Sequence, residues 1–267
     1  MGVFIRRTLT GVCLGTAALL LVSCGAGDSG KPKITVVAAA DVQYAFEEME
    51  APFEEQCGCD LVLTFGSSGK FAAQIEEGLP ADVFASANIS YIANLEKKGL
   101  VVPGTQQVYA IGRIVLAVPS GSQLDPADLS FVADPAVKRL SIANPDHAPY
   151  GVAGKEALES AGLWDAVKDK LVLGENAAQA TQFVETGDAE AGIIPLSLAV
   201  QRHDRVRYTL IDDGLHNPLQ QAAAVVSSSD HPDIGEEFID FINSEEGRPV
   251  MLKYGFVLPG EATPSND

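Results

Sequence analysis

The turn Gly66-Ser67-Ser68-Gly69 lies within residues 61–88, LVLTFGSSGKFAAQIEEGLPADVFASAN, and holds the residue types best placed for chemistry in this 267-residue chain. An apolar run enters the turn and a helical pattern leaves it. A second short strand, DVFASA, ends in another small polar turn. Two hydroxyls and the unpaired N–H groups of a helix start would meet there, where the helix dipole favours negative charge. The chemistry on offer is the holding of an oxyanion by neutral donors. Bond-breaking readings fail on spacing. A nucleophile elbow needs Gly two residues after the nucleophilic Ser, and Lys70 stands there after Ser68. A P-loop needs Gly where Thr64 stands and a hydroxyl residue where Phe71 stands. His147, in the loop NPDHAPYG, has the chemistry of a base for Ser68, but a lone loop His more often caps or packs. Asp82 in PADVF reads as a turn cap or a strand-start partner, with ligand binding as its second reading.

The elements that must position this turn alternate along the chain. Short apolar or β-branched runs predict strands at Lys33–Ala39, 113–118, 139–143, 171–173, 191–194 and 222–226. Val42, Ala45, Phe46, Met49 and Phe53 recur at helical spacing, as do Ala180, Phe183 and Val184. Further helices are expected over 89–98, around 155–161, and over 234–243 and 245–253. Alternation of this kind predicts an α/β fold of parallel sheets covered by helices. Ligands of such sheets bind beyond the carboxyl ends of the strands, where helix N-termini converge. Four strand ends here carry small or turn-forming residues: 38–41, 66–69, 144–151 and 174–177. Their joint occurrence predicts a cleft that strips water from a small anion.

The N-terminus decides where the protein works. Arg6 and Arg7 precede an apolar run over 14–22, too short to span a bilayer but suited to a signal-peptide core. Leu21-Val22-Ser23-Cys24 resembles a bacterial lipobox, which predicts a signal peptide of residues 1–23, acylation of Cys24 and a small, polar tether over 24–32. The expected location is extracytoplasmic, on the cell membrane through a lipid anchor. Arg6-Arg7 leaves both the general and the twin-arginine export routes open. Loss of residues 1–23 leaves 16 basic against 36 acidic residues, a net charge of −20. A surface this acidic disfavours nucleic acid and anionic headgroups, so an anion site must act locally.

Cys57 and Cys59, separated by Gly58, either close a small disulfide ring in an oxidising compartment or stay reduced. Metal binding by this pair has no support, because His147, His203, His216 and His231 are scattered. Residues 261–267 read as a disordered tail.

Five motifs carry a family resemblance: ITVVAAADV, TFGSSGKFAAQIEEGLPADVFASAN, ANPDHAPYGVAGKEALESAGLW, LVLGENAAQATQFVETGDAEAGII and the closing YGF. In order and content the chain resembles the molybdate-binding proteins of bacterial ABC importers, within the periplasmic-type solute-binding proteins. The resemblance implies a two-lobed periplasmic-binding-protein type II fold with mixed sheets and a ligand cleft between lobes. It divides the chain into lobe 1 over 33–112 and 222–260 and lobe 2 over 113–221. It also implies a hydroxyl donor at Ser68, a second at Ser67, backbone donors at Tyr150 and Ala177, and a phenol at Tyr150 able to add a bond. Asp41 stands where the family typically has Ser, and Pro195 where many members have Tyr. An ionised Asp41 about 4 Å from an anion would cost on the order of 4 kcal/mol at an effective dielectric of 20. The reading preferred is that the Asp41 carboxylate caps its own helix while its backbone N–H faces the cleft. Protonation, direct coordination of the metal centre, and a different substrate remain open.

Together these readings describe a lipid-anchored, monomeric binding protein that is not an enzyme, needs no cofactor, and passes molybdate or tungstate to an ABC permease and its ATPase. Rival readings are a receptor for another oxyanion such as sulfate, an amino-acid receptor, and a secreted hydrolase acting through Ser68. No Arg lies in the four loops, which counts against an amino-acid clamp.

Overall fold

The computed structural model describes residues 1–2 and 30–261, and the chain from Lys31 onward forms one compact unit. The lipobox with Cys24, the apolar core at 14–22 and residues 262–267 lie outside the described residues. Among the described residues, no helix is long and apolar enough to cross a membrane.

The first half of the chain runs β1 Lys33–Ala39, α1 Gln43–Cys57, β2 Asp60–Gly66, α2 Ser68–Glu76, β3 Val83–Ser86, α3 Ile89–Lys97 and β4 Gln107–Gly112. It continues through β5 Ile114–Pro119, β6 Leu140–Ala143, α4 Pro149–Ser160, α5 Trp164–Val167 and β7 Leu171–Gly174. Next come α6 Ala177–Glu185, β8 Ala191–Pro195, α7 Leu196–Gln201 and β9 Val206–Leu210. The chain closes with β10 Leu219–Val225, α8 Pro232–Ile242 and α9 Gly247–Lys253.

Two five-stranded mixed sheets result, ordered β2-β1-β3-β10-β4 and β7-β6-β8-β5-β9. The chain crosses between them twice, at Arg113 and over 211–218. Both faces of each sheet are covered, so the central strands are apolar on both sides. In β5, Ile114, Leu116 and Val118 face one core while Val115 and Ala117 face another. In β1, Ile34, Val36 and Ala38 pack under α1 and α8, and Val37 packs on the opposite face. Phe46, Phe53 and Phe238 meet edge to face there, with centroids 5.4 and 5.1 Å apart.

Sequence patterning missed β4, β9 and α7. Both β4 and β9 are sheet edges; β9 is half-solvated and broken by Arg207 and Thr209, so it does not read as an apolar run, whereas β4 carries the short apolar run 108–111 between Gln107 and Gly112. β10 begins at Leu219, three residues before the expected strand. Gln220 and Gln221 hide its start, and the ladder shifts register between Gln221 and Ala222. At the end of α1, Gly58 takes the left-handed φ of 65° that terminates the helix. Cys57 and Cys59 on either side of it are joined as a disulfide, with Cα atoms 5.3 Å apart.

Candidate functional site

Helix starts converge where the two sheets face each other. Asp41 lies in a single 3-10 turn, Ala40–Val42, that leads from β1 into α1. Ser67 and Ser68 open α2 after β2, Tyr150 lies in the first turn of α4 beyond β6, and Ala177 opens α6 beyond β7. All five line one small cavity, together with Ala39, Ala40, Gly66, Ala87, Ala148 and Pro149. It has about 190 Å³ of atom-free space. Among the described residues, no Lys or Arg lines it. A larger cavity, with about 700 Å³ of atom-free space, lies between α2 and α3, and Lys97 and Lys98 are among its lining.

The two serines differ in what they leave free. Ser67 sits at the N-cap of α2 but makes no capping bond. Its Oγ donates to the His147 carbonyl at 2.6 Å and lies 2.9 Å from His147 Nδ1. A hydroxyl has one proton, so with that proton on the carbonyl the ring contact has Nδ1–H donating to Oγ. His147 is therefore arranged as a donor rather than a base, and it meets Ser67, not Ser68. Ser68, 1% exposed, accepts the Ala87 N–H at 3.0 Å, and its own proton remains for another acceptor. Gly69 donates its N–H to the same His147 carbonyl at 2.9 Å. A side chain at Gly69 would put a Cβ 2.5 Å from that oxygen, so only Gly lets the loops approach this closely.

Asp41 corrects the capping expectation. The N-cap of its turn is Ala39, and no side chain caps it. The carboxylate instead joins a buried polar network. Oδ2 accepts from the Tyr150 phenol at 2.9 Å and from Gln221 Nε2 at 2.5 Å. Gln221 Nε2 also donates to the Tyr150 oxygen at 3.1 Å, and the Tyr109 hydroxyl donates to Gln221 Oε1 at 3.0 Å. Ser197, in α7, donates to the Asp41 backbone carbonyl at 2.8 Å. Oδ1 is buried without a partner. Burial pushes the carboxyl up to about 6, against the Gln221 amide, the Tyr150 phenol and its own backbone N–H, which pull it down. Burial and the neighbouring Asp41 hold the Tyr150 phenol well above its usual range. The phenol proton is thus spent on Asp41, not held out toward the cavity. Gly112 makes room for this contact, since a Cβ there would lie 2.1 Å from the Tyr150 oxygen.

Ala177 opens α6 under Asn176, whose side chain accepts the Gln179 N–H at 3.0 Å. Pro195 ends β8 and is the N-cap residue of α7. Asp82 is structural. Its Oδ2 accepts the Thr35 N–H at 2.8 Å and its Oδ1 accepts from Ser229 at 2.5 Å, tying β3 to β1 away from the cavity. Among the described residues, no group of three or more His, Cys, Asp or Glu could hold a metal ion. Sequence reasoning missed Gln221, Tyr109 and Ser197. Gln221 left one signal, a Gln directly before the apolar run AAAVV.

The chain matches the family model described as "Bacterial extracellular solute-binding protein" over residues 34–257. It is 32% identical over 246 residues to the molybdate-binding protein ModA of Azotobacter vinelandii, covering 90% of this chain and 97% of the relative. It is 30% identical over 250 residues to the putative ABC transporter substrate-binding lipoprotein YvgL of Bacillus subtilis (strain 168), covering 90% and 94%. The solved structure of the Azotobacter vinelandii periplasmic molybdate-binding protein superposes with a TM-score of 0.79 at 28% identity, covering 85% of this chain and 99% of that one. These relatives are transport binding proteins, not enzymes. The chain belongs to the bacterial extracellular solute-binding protein family, with ModA proteins among its relatives.

Proposed function

We propose that this protein captures molybdate, and tungstate as an ion of like charge and size, for delivery to an ABC permease and its ATPase. One observation carries the reading: helix starts from both sheets and two serine hydroxyls from the first close on a single small cavity that, among the described residues, no cationic side chain lines. Donors of this kind suit a dianion stripped of water. The names of the ModA relatives supply the choice among oxyanions. In this reading Ser68 gives a hydroxyl, Tyr150 and Ala177 give backbone N–H groups, and Ser67 acts through His147 to hold the loops together. Acylation of Cys24 keeps the protein on the membrane beside its permease. Calorimetric titration of the purified protein with molybdate, tungstate, sulfate and phosphate tests the assignment. Tight binding of the first two and far weaker binding of the others is expected. Sulfate affinity comparable to molybdate would remove molybdate as the assigned ligand.

A further inference from the structure

We propose that Asp41 enters the ligand site as a neutral carboxylic acid whose Oδ1–H donates to the bound oxyanion, so that capture of the anion is coupled to uptake of one proton. The inference rests on the oxyanion reading above and adds a residue-level rule to it. Three observations carry it. Asp41 lines the cavity, is 2% exposed, and has its two oxygens in opposite circumstances. Oδ2 accepts from both Tyr150 and Gln221, whereas Oδ1 is buried with no partner. A bare, buried carboxylate oxygen is costly, and an anion arriving beside it adds like-charge repulsion. One proton on Oδ1 removes both penalties. It cancels the carboxylate charge, leaves Oδ2 free to accept its two hydrogen bonds, and makes Oδ1 a donor that lacks only an acceptor. The anion supplies that acceptor.

The groups facing Asp41 do not offer another route to neutrality. From α4 comes the Tyr150 phenol and from β4 the Tyr109 phenol, and burial holds both protonated. From β10 comes the neutral Gln221 amide, and from α7 the neutral Ser197 hydroxyl. On the α2 wall stands the His147 imidazole against Ser67, so the experiment must separate it from Asp41.

The test is molybdate titration of the wild type, Asp41→Asn and His147→Gln across pH, with each titration repeated in buffers of different ionisation enthalpy. Above about pH 6 the wild-type carboxyl must gain a proton to bind, so its Kd is expected to rise about tenfold per pH unit up to about pH 8.5, with one proton taken up per anion. Asp41→Asn presents an N–H where the acid presents O–H, and its Kd should not change with pH. His147→Gln should keep the wild-type slope. A flat wild-type profile without proton uptake, or a slope that survives in Asp41→Asn, overturns the inference while leaving the oxyanion reading intact. Absence of molybdate binding at every pH overturns both. If Asp41 served as an ionised acceptor, the wild type would prefer hydrogen phosphate to molybdate, and that result also refutes the proposal.

Discussion

The cavity has two unlike walls. On the α2 side, Ser67, Ser68 and the His147 loop form a neutral set in which most protons already have acceptors and one hydroxyl proton remains. On the Asp41 side, a charge-bearing group is buried among Tyr150, Gln221, Tyr109 and Ser197, and one of its oxygens is bare. The first wall can donate to an anion without reorganising. The second can add a side-chain donor only after the Asp41 carboxylate takes up a proton. Both bind the two sheets together, but only the second buries a carboxyl with one oxygen bare.

The largest expected effect tests that difference directly. With its pKa raised from 3.8 to about 6, Asp41 holds its proton more tightly folded than unfolded. This group therefore favours folding most below pH 3.8, and the folded state loses ground as pH rises through about 6. The difference between 3.8 and about 6 corresponds to roughly 3 kcal/mol. Asp41→Asn keeps the shape and cannot ionise, so it should be more stable than wild type by up to that amount at pH 8. The gain should vanish near pH 4. Denaturant melts at both pH values measure it, and equal stability at pH 8 would erase the contrast between the walls.

Next in size is Ser68. Hydrogen bonds to charged groups are worth roughly 1.5–3 kcal/mol, so Ser68→Ala should weaken molybdate binding about tenfold to a hundredfold, and it should also lower the melt because the buried Ala87 N–H loses its acceptor. Ser67→Ala should cost less. Its hydroxyl serves a neutral carbonyl, a bond worth about 0.5–1.5 kcal/mol, and Gly69 still donates to that carbonyl. A larger loss from Ser67→Ala than from Ser68→Ala, read by calorimetry, would exchange the roles assigned to the two serines.

The same contrast marks what the sequence could disclose. Ser67 and Ser68 were legible because their donors are local: small residues after an apolar strand predict a helix start, and the helix start supplies the N–H groups. The central strands were legible because both their faces are buried. The Asp41 network was not, because Tyr150 and Gln221 lie 109 and 180 residues from Asp41 in sequence. Local chemistry assigned Asp41 to a cap, the commonest use of an Asp before a helix. Tertiary burial overrode that preference by offering the carboxylate two donors from other elements. The edge strand β9 was lost for the converse reason, since its partly solvated residues leave no apolar signature. The crossing strand β10 hid its start behind Gln220 and Gln221, and Gln221 is the residue that completes the Asp41 network.

The smallest effect belongs to the rim of the neutral wall. Lys70 in α2 pairs with Glu175 just before α6, and the two side chains are 44% and 52% exposed. The pair spans the two sheets, so it forms only when the loops are together and should slow ligand release rather than speed capture. Exposure keeps its contribution small and open to screening, since the Debye length falls from about 8 Å at physiological salt to about 3 Å at 1 M. Lys70→Ala should therefore raise the molybdate dissociation rate slightly at low salt and leave it unchanged at high salt. The wild type should lose the same small advantage as salt is added. Stopped-flow release measured across salt reads this directly. A dissociation rate that rises strongly in Lys70→Ala and stays raised in 1 M salt would mean that the rim, and not the Ser67–His147 contact behind it, holds the neutral wall closed.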